Sequence, residues 1–351
     1  MRCLFCTADA IGTKTGGGVV TYNELESLKS VGETTSISRE ILNPSLYQQP
    51  DSPYVFDFIA DAHILYNKIK SDLAHFYAGT FSKTIMRLKH MGTLVTYTAA
   101  AHDPDVSREE FIRNGYEFNL PHITNPSLWA SYLEGYLLAD LVICPSKASE
   151  RIMRKFGCKN VVVIPHGVEL PLYTQPLLST PFTVGYLGQV GPDKGLSYLL
   201  KAWKDLDWTD SKLRLAGRGT EVFKTPISTE MIKNAEALGF VEFTSDFYNT
   251  VSVYVQPSAT EGFGIEVLEA MAHGRPVIVS SGAGAADVVT DGVDGFVVPA
   301  RDAGAIADRL KFLKGSADLQ KMSEEAKKKA AQYTWDLVRP RYTEVWKGLL
   351  K

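Results

Sequence analysis

The sequence predicts an α/β protein of two domains, each with a parallel sheet and helices on its faces. Three observations carry that expectation. Short apolar runs alternate with helix-period segments along nearly the whole chain, the pattern of successive strand–helix–strand units. The length, 351 residues, exceeds what one core usually serves and suits two, each able to bury most of its apolar surface. A proline-rich stretch near the middle, residues 171–181, reads as a linker between a domain at 1–170 and another at 182–334. Residues 335–351 read as a separate final helix.

In chain order, Cys3 to Ala8 is the first expected strand. Residues 9–18 are a Gly-rich loop before a helix from Val19 to Val31. That order offers phosphate-friendly amides, although Gly16, Gly17 and Gly18 lack the Gly-x-Gly-x-x-Gly spacing of dinucleotide sites. A flexible turn is the alternative. Strands at Thr34 to Ser38 and Asp72 to Tyr77 flank a helix around Tyr54 to Lys70. Ser82 to His90 is an amphipathic helix in which Lys83, Arg87 and Lys89 stand among Ile85, Met86 and Leu88. Such a helix is either an ordinary surface element or a peripheral contact for anionic lipid head groups.

Thr93 to Ala99 is a strand leading to His102. A histidine beyond the carboxyl end of a parallel strand stands where ligands bind, and it exchanges protons near neutrality. A structural histidine is the alternative. Helices at Leu128 to Ala139 and Lys147 to Phe156, with strands at Asp140 to Pro145 and Val161 to Pro165, complete the first domain.

Phe182 to Leu187 opens the second domain. The loop Gly188 to Gly195 carries Lys194 just before a helix from Leu196, so a mobile cation meets the positive end of a helix dipole, a suitable diphosphate site. Lys212 to Ala216 is a strand ending at Gly217, Arg218 and Gly219, and Val241 to Phe243 is a short strand. Gly295 to Pro299 completes the sheet, followed by helices at Asp302 to Lys314, Leu319 to Ala331 and Trp335 to Leu350. The last carries an apolar stripe that reads as docking surface.

Composition narrows the classes. Residues 1–172 carry 16 basic and 18 acidic side chains and the net charge is −3, so no basic half exists to meet a nucleic acid. Of the four cysteines, Cys3 and Cys6 lie in a strand pattern that points them to opposite faces, and a zinc site would need a second convergent pair. Structural thiols in a reducing cytosol are the expectation. The amino terminus does not read as a signal peptide, and no segment is long enough to span a bilayer.

The chemistry concentrates in residues 251–282, VSVYVQPSATEGFGIEVLEAMAHGRPVIVSSG. An apolar strand ends at Pro257, a helix opens at Gly264 and Ile265 and stops at Gly274 and Pro276, and Val277 to Val279 is the next strand. Gly262 and Gly264 bracket Phe263, so the turn can take positive φ and bring its amides close to a ligand. Glu261 and Glu269 then flank one anion-friendly turn. A carboxylate there suits hydroxyl groups, as on a sugar or a ribose. A solvated helix face with a loop charge is the alternative.

Glu261, seven intervening residues and Glu269, set in PSATEGFGIEVLEAMAHGRPVI, resemble the E-x7-E signature of retaining glycosyltransferases with the GT-B fold, in the large family called GT4. ADLVICPS and VVVIPHGVE resemble the last two strands of that family's amino-terminal domain. The loop at 188–195 resembles Gly-Arg-x-x-Pro-Glu-Lys-Gly, with Lys194 on the Lys and Gln189 where Arg is usual. The resemblance covers nearly the whole chain. It implies two doubly wound Rossmann-like domains facing a central cleft, with the final helix crossing back to the first.

What the family implies for the residues follows from those matches. Glu261 and the amides of Gly262, Phe263, Gly264 and Ile265 hold the donor sugar and its phosphates, Glu269 the ribose, and Lys194 the diphosphate. Gly17 and Gly18 match a Gly-Gly pair near the donor phosphates, and His102 lies against the donor sugar. Arg218 stands where it would restore charge missing at Gln189. The implied reaction is transfer from a UDP-, GDP- or ADP-sugar to a hydroxyl of a sugar, glycan or lipid-linked acceptor, without metal. Asp103 and Asp105 spell Asp-x-Asp, a metal pattern of a different glycosyltransferase fold, and are set aside. A nucleotide-sugar epimerase and a silent nucleotide-sugar binder are the alternatives. The expected location is cytoplasmic, with Ser82–His90 the place for any membrane contact.

Overall fold

The computed structural model describes residues 1–8, 11, 16–38, 53–99, 101–114, 126–177, 181–219 and 232–351. The chain forms two compact units. The first takes Met1–Pro104, Leu120–His166 and Trp335–Lys351, the second Asp105–Asn119 and Gly167–Thr334.

The first unit's strands are β1 (Arg2–Thr7), β2 (Glu33–Ile37), β3 (Leu73–Tyr77), β4 (Leu94–Thr98), β5 (Leu141–Cys144) and β6 (Val161–Val163). They pair in parallel in the order β2-β1-β3-β4-β5-β6. The order reverses between β1 and β3, which marks the switch point where open α/β sheets take ligands. Its helices are α1 (Gly16–Lys29), α2 (Pro53–Tyr66) and α3 (Ser82–His90), then α5 (Pro126–Leu138) and α6 (Lys147–Lys155). Between them α4 (Pro104–Arg113) belongs to the second unit, where the Tyr198 hydroxyl donates to Glu110 at 2.9 Å and Arg301 lies 2.7 Å from the same carboxylate. Pro104 opens α4, a position where its missing N–H costs nothing.

Two local expectations need correction. The Gly16–Gly18 run is the first turn of α1 and not the end of a loop; Thr21 Oγ1 donates to the Gly18 carbonyl at 2.9 Å within it. Val241 to Phe243 is not a strand: the sheet edge is Ala235–Gly239, a run of small residues with Glu236 and Leu238, held by backbone pairing while two of its five side chains stay exposed. Helix α3 fits the ordinary surface alternative, with Ile85 and Leu88 fully buried and Met86 exposed. Its cations are paired, Lys83 and Arg87 with Asp61 and Lys89 with Asp140. A lipid surface would have to compete with both.

The final helix, α12 (Trp335–Leu349 by its own bounds), closes the first unit. Trp346 Nε1 donates to Thr96 Oγ1 at 3.1 Å and Arg339 Nε to Asn23 Oδ1 at 2.8 Å. Cys3, Cys6, Cys144 and Cys158 are buried free thiols whose pKa values are pushed up by burial. No helix among the described residues is long and apolar enough to cross a membrane.

The second unit's strands are β7 (Phe182–Leu187), β8 (Ser211–Ala216), β9 (Ala235–Gly239), β10 (Val253–Gln256), β11 (Val277–Ser280) and β12 (Gly295–Val298). Their parallel order is β12-β11-β10-β7-β8-β9. Helices α7 (Leu196–Leu206), α8 (Thr244–Tyr248), α9 (Ile265–Ala272), α10 (Ala303–Gly315) and α11 (Leu319–Ala330) cover it. Side chains alternate along each strand: Val253, Val255 and Ile278 join one core with α7 and α10, while Tyr254, Val277 and Val279 join another with α9 and α11. Burial on both faces is why these strands read as continuous apolar runs. The order turns back at β7 and β10, so the loops after those strands occupy the switch point.

Candidate functional site

Those two loops, residues 188–195 and 257–264, are fastened to each other by backbone. The Asp193 carbonyl accepts from the amides of Ala259 at 2.8 Å and Thr260 at 3.4 Å. Gly195 takes φ +67°, and a Cβ there would fall 2.0 Å from the Pro257 carbonyl oxygen, so only glycine permits the approach. On its other side the second loop is fixed to the turn after β11. Glu261 N donates to Gly282 O at 2.9 Å, Gly284 N to Glu261 O at 3.0 Å and Ala285 N to Phe263 O at 2.7 Å. Gly264, at φ +89°, turns the chain into α9.

This scaffold places Lys194 against Glu261, with Lys194 Nζ donating to Glu261 Oε2. Only 23% of the lysine side chain and 10% of the glutamate remain exposed. Burial opposes the Lys194 charge, but Glu261 and then Glu266 outweigh it, so the lysine pKa stands above its ordinary value. Glu266, half-buried in the first turn of α9, has its pKa raised by burial and then by Glu261. Glu269 lies one turn further on, half-buried, with its pKa pushed up to about 7, first by burial and then by Glu266. Glu261 and Glu266 thus act on one ammonium, and Glu269 adjoins Glu266.

Glu269 is held from behind. The buried Tyr248 hydroxyl donates to Glu269 Oε2 at 3.0 Å and to the Glu266 carbonyl at 3.2 Å. His273 joins α8 to α9, its Nδ1 2.8 Å from the Glu269 carbonyl, its Nε2 3.0 Å from Ser245 Oγ, and its ring centroid 5.1 Å from that of Tyr248.

The structure thus brings Lys194, Glu261 and Glu269 onto adjoining elements with Gly262, Gly264 and Ile265. Phe263 contributes backbone only, because its ring is buried in the core with Leu268 and Val288. Gln189 is exposed, and its carbonyl accepts from the Tyr186 hydroxyl at 3.1 Å. The Arg218 guanidinium lies 5.4 Å from the Phe240 ring centroid, and its carbonyl accepts from Val190 N at 2.9 Å. Glu266 and Tyr248 are site residues that sequence reasoning missed. The signal for Glu266 was its i, i+3 spacing to Glu269, which puts both on one face. Tyr248 gave none, since it belongs to a separate short helix.

The remaining candidates lie in the first unit. Gly17 and Gly18 are in the first turn of α1, where amides lack intrahelical partners. His102 is half-buried beyond β4, on a segment fixed by Ser149 Oγ donating to the Ala101 carbonyl at 3.3 Å. Asp103 pairs with Lys155 at 3.4 Å while Asp105 stands in the first turn of α4, so the two acids of Asp-x-Asp serve different elements. Among the described residues no group of three His, Cys, Asp or Glu side chains is placed to hold a metal ion.

Residues 181–314 match the family described as "Glycosyl transferases group 1". The match is to this stretch of the chain. It holds Lys194, Glu261, Glu266, Glu269 and Tyr248 together. An uncharacterized glycosyltransferase of Methanocaldococcus jannaschii is 28% identical over 56% of this chain and 56% of its own length. A phosphatidyl-myo-inositol mannosyltransferase of Mycobacterium leprae is 31% identical over 53% of each chain. A capsular polysaccharide biosynthesis glycosyltransferase of Staphylococcus aureus is 32% identical over 39% of this chain and 38% of its own. The chain spans 38–61% of the length of the first curated relatives it matches. Among solved structures, sucrose-phosphate synthase of Thermosynechococcus elongatus aligns over 99% of both chains with TM-score 0.77 at 18% identity. Anabaena HepE, in complex with UDP and glucose, aligns over 99% of this chain and 100% of its own with TM-score 0.74 at 17% identity. The fold around the matched stretch is therefore the GT-B, Rossmann-like α/β fold.

Proposed function

We propose that this chain transfers a sugar from a nucleoside diphosphate sugar to an acceptor hydroxyl with retention of anomeric configuration. The observation that carries this reading is the clamped pair of loops at the β7/β10 switch point, which sets Lys194 and Glu261 beside the start of α9. Glu261 accepts hydroxyls of the donor sugar and Glu269 those of the ribose, the partners a carboxylate takes where a phosphate would be repelled. Lys194 and the amides at the start of α9 stabilise the diphosphate as the bond from the anomeric carbon to its oxygen breaks. The acceptor oxygen bonds to that carbon on the same face, and its proton passes to the departing diphosphate. His102 is proposed, on the family pattern, as a hydrogen-bonding partner of the sugar.

UDP-sugars are the first donors to try, because HepE is solved with UDP-glucose, and GDP- and ADP-sugars follow. The names of the relatives make a glycan or lipid-linked acceptor the class to screen, at a cytoplasmic location. The neutral Gln189 favours one second reading, a nucleotide-sugar binder without turnover.

A thermal-shift screen of nucleoside diphosphates and nucleotide sugars, followed by mass detection of product on pooled acceptors, tests both. Glu261→Ala should abolish transfer while nucleoside diphosphate binding persists; transfer that survives removes Glu261 from its role. Binding with neither transfer nor slow donor hydrolysis supports the silent binder.

A further inference from the structure

We propose that Glu110 is a positioning residue: it anchors α4 to the second unit, and α4 in turn braces the loop that carries Lys194. The proposal rests on the function proposed above and adds to it a residue that lies outside both site loops.

Helix α4 comes from the first half of the chain but is built into the second unit. Glu110 is fully buried there, and a buried carboxylate is stable only among partners that answer its charge. The Tyr198 hydroxyl donates to both of its oxygens, at 2.9 and 3.2 Å, and Arg301 Nε lies 2.7 Å away. Arg301 also donates to Glu109 at 3.0 Å, and the exposed Arg113 stands 3.9 Å from Glu110. Tyr198 is in the first turn of α7, and its amide donates to the Gly195 carbonyl at 2.9 Å, so Glu110 grips the helix start into which the Lys194 loop runs. Arg301 follows β12, on a turn where the Ala300 amide donates to Ser281 Oγ at 3.1 Å, next to the Gly282 that holds Glu261. It takes φ +65°, a left-handed conformation that is strained for a residue with a Cβ and persists where its surroundings enforce it. A third tie is direct: Ser107 Oγ of α4, fully buried, donates to Asp193 Oδ2 at 3.5 Å, beside Lys194.

A brace of this kind matters more for rate than for binding. Lys194 answers charge that appears only as the donor bond breaks, so its effect depends on where the loop holds it. A flexible ammonium reaches a bound diphosphate from many loop positions, whereas the transition state accepts few. The second loop keeps its own backbone ties to residues 282–285. Loosening α4 should therefore slow transfer and leave nucleotide affinity nearly intact.

Two variants test this. Glu110→Gln keeps the shape and an acceptor for Tyr198 but removes the charge that meets Arg301, while Arg301→Gly removes the guanidinium and relieves the strained backbone. In hydrogen exchange of the ligand-free protein, both should speed exchange across residues 104–114 and 188–198 and leave β7 and β11 unchanged. Unchanged exchange at 188–198 overturns the brace, whether or not the protein transfers sugar. In the transfer assay both should lower kcat by roughly ten- to a hundredfold, the scale of a misplacement of about 1 Å, with donor KM and nucleoside diphosphate affinity little changed. Because the two residues act as one anchor, the double variant should be no slower than the slower single one. Diphosphate affinity lost in step with kcat overturns the positioning role and makes Glu110 a support of the fold alone. If Glu110→Gln melts prematurely, Tyr198→Phe, which removes one donor, should shift exchange and kcat less but in the same direction. A wild-type protein that transfers no sugar overturns the function proposed above, and the exchange result still decides the brace.

Discussion

Two buried acid–base pairs invite comparison. In the second unit Lys194 meets Glu261 on loops at a sheet's switch point, with 23% and 10% of their side chains exposed. In the first unit Glu24 of α1 meets His75 of β3 at 3.0 Å with nothing exposed. The His75 Nδ1 is 2.8 Å from Thr96 Oγ1, and its ring lies 4.9 Å from the Trp346 ring. The first pair sits where strands end and a ligand can compete for either member. The second sits under α1 and α12, where no ligand can. What separates the two pairs here is access at a strand's carboxyl end, since burial and pairing are common to both.

The sharpest way to break that comparison is to remove one partner from the sealed pair. His75→Leu keeps apolar volume but strands the Glu24 carboxylate in the core, and should cost about 3–5 kcal/mol of stability. The denaturant midpoint measures it, and nucleotide affinity of the protein that remains folded should hold. A loss of less than about 1 kcal/mol would mean that the pair carries little net weight and that packing by Trp346 and Tyr342 holds the helix.

Lys194→Ala should act in the opposite way. Stability should fall less than for the sealed pair, because both side chains keep some exposure, while transfer should fall by about 10²–10³, the range for removing one stabiliser of a developing anion. Full activity in this variant would show that helix amides alone carry the diphosphate.

A smaller effect follows from pH. The Glu269 carboxyl has a pKa of about 7 against an ordinary 4.5, so the fold favours its protonated form. Between those two values the folded protein holds a proton that the unfolded chain has released, and stability falls as pH rises through that window. Ribose hydroxyls need the ionised form as acceptor, so nucleotide affinity should run the other way. It should weaken by up to about tenfold per pH unit below 7 and level off above. Glu269→Gln should flatten both profiles; a pH-dependent affinity that persists in that variant assigns the titration elsewhere.

The same contrast explains what the sequence could show. Lys194 before Leu196, and Glu261 with Glu269 around a Gly-bracketed turn, were legible because their roles follow from local order: a loop, a helix start and a spacing of eight. The strand–helix alternation was legible because strands buried on both faces are apolar throughout, as in Val277–Ser280. Edge strand Ala235–Gly239 was not, because a strand paired on one side needs no apolar pattern and a run such as Val241–Phe243 outscores it. The start of α1 at Gly16 was hidden because three glycines argue against a helix until tertiary packing decides. Charge partners were hidden for the same reason. The cations of α3 face Asp61 of α2 and Asp140 beside β5, and no local spacing announces such contacts.

Tyr248 sharpens the comparison with the smallest expected change. Its hydroxyl donates to Glu269 Oε2 and so favours the ionised carboxylate, opposing the burial that raises the pKa. Tyr248→Phe keeps the ring beside His273 and removes only that donor, so α8 should stay docked on α9. A hydrogen bond to a charged group contributes about 1.5–3 kcal/mol, less here because the Glu269 oxygens are only half-buried and water replaces part of what is lost. The pH midpoint for nucleotide affinity should therefore move upward from about 7, with little change above pH 9, where Glu269 is ionised in either protein. An affinity lowered equally at every pH would mean that Tyr248 shapes the site through packing alone.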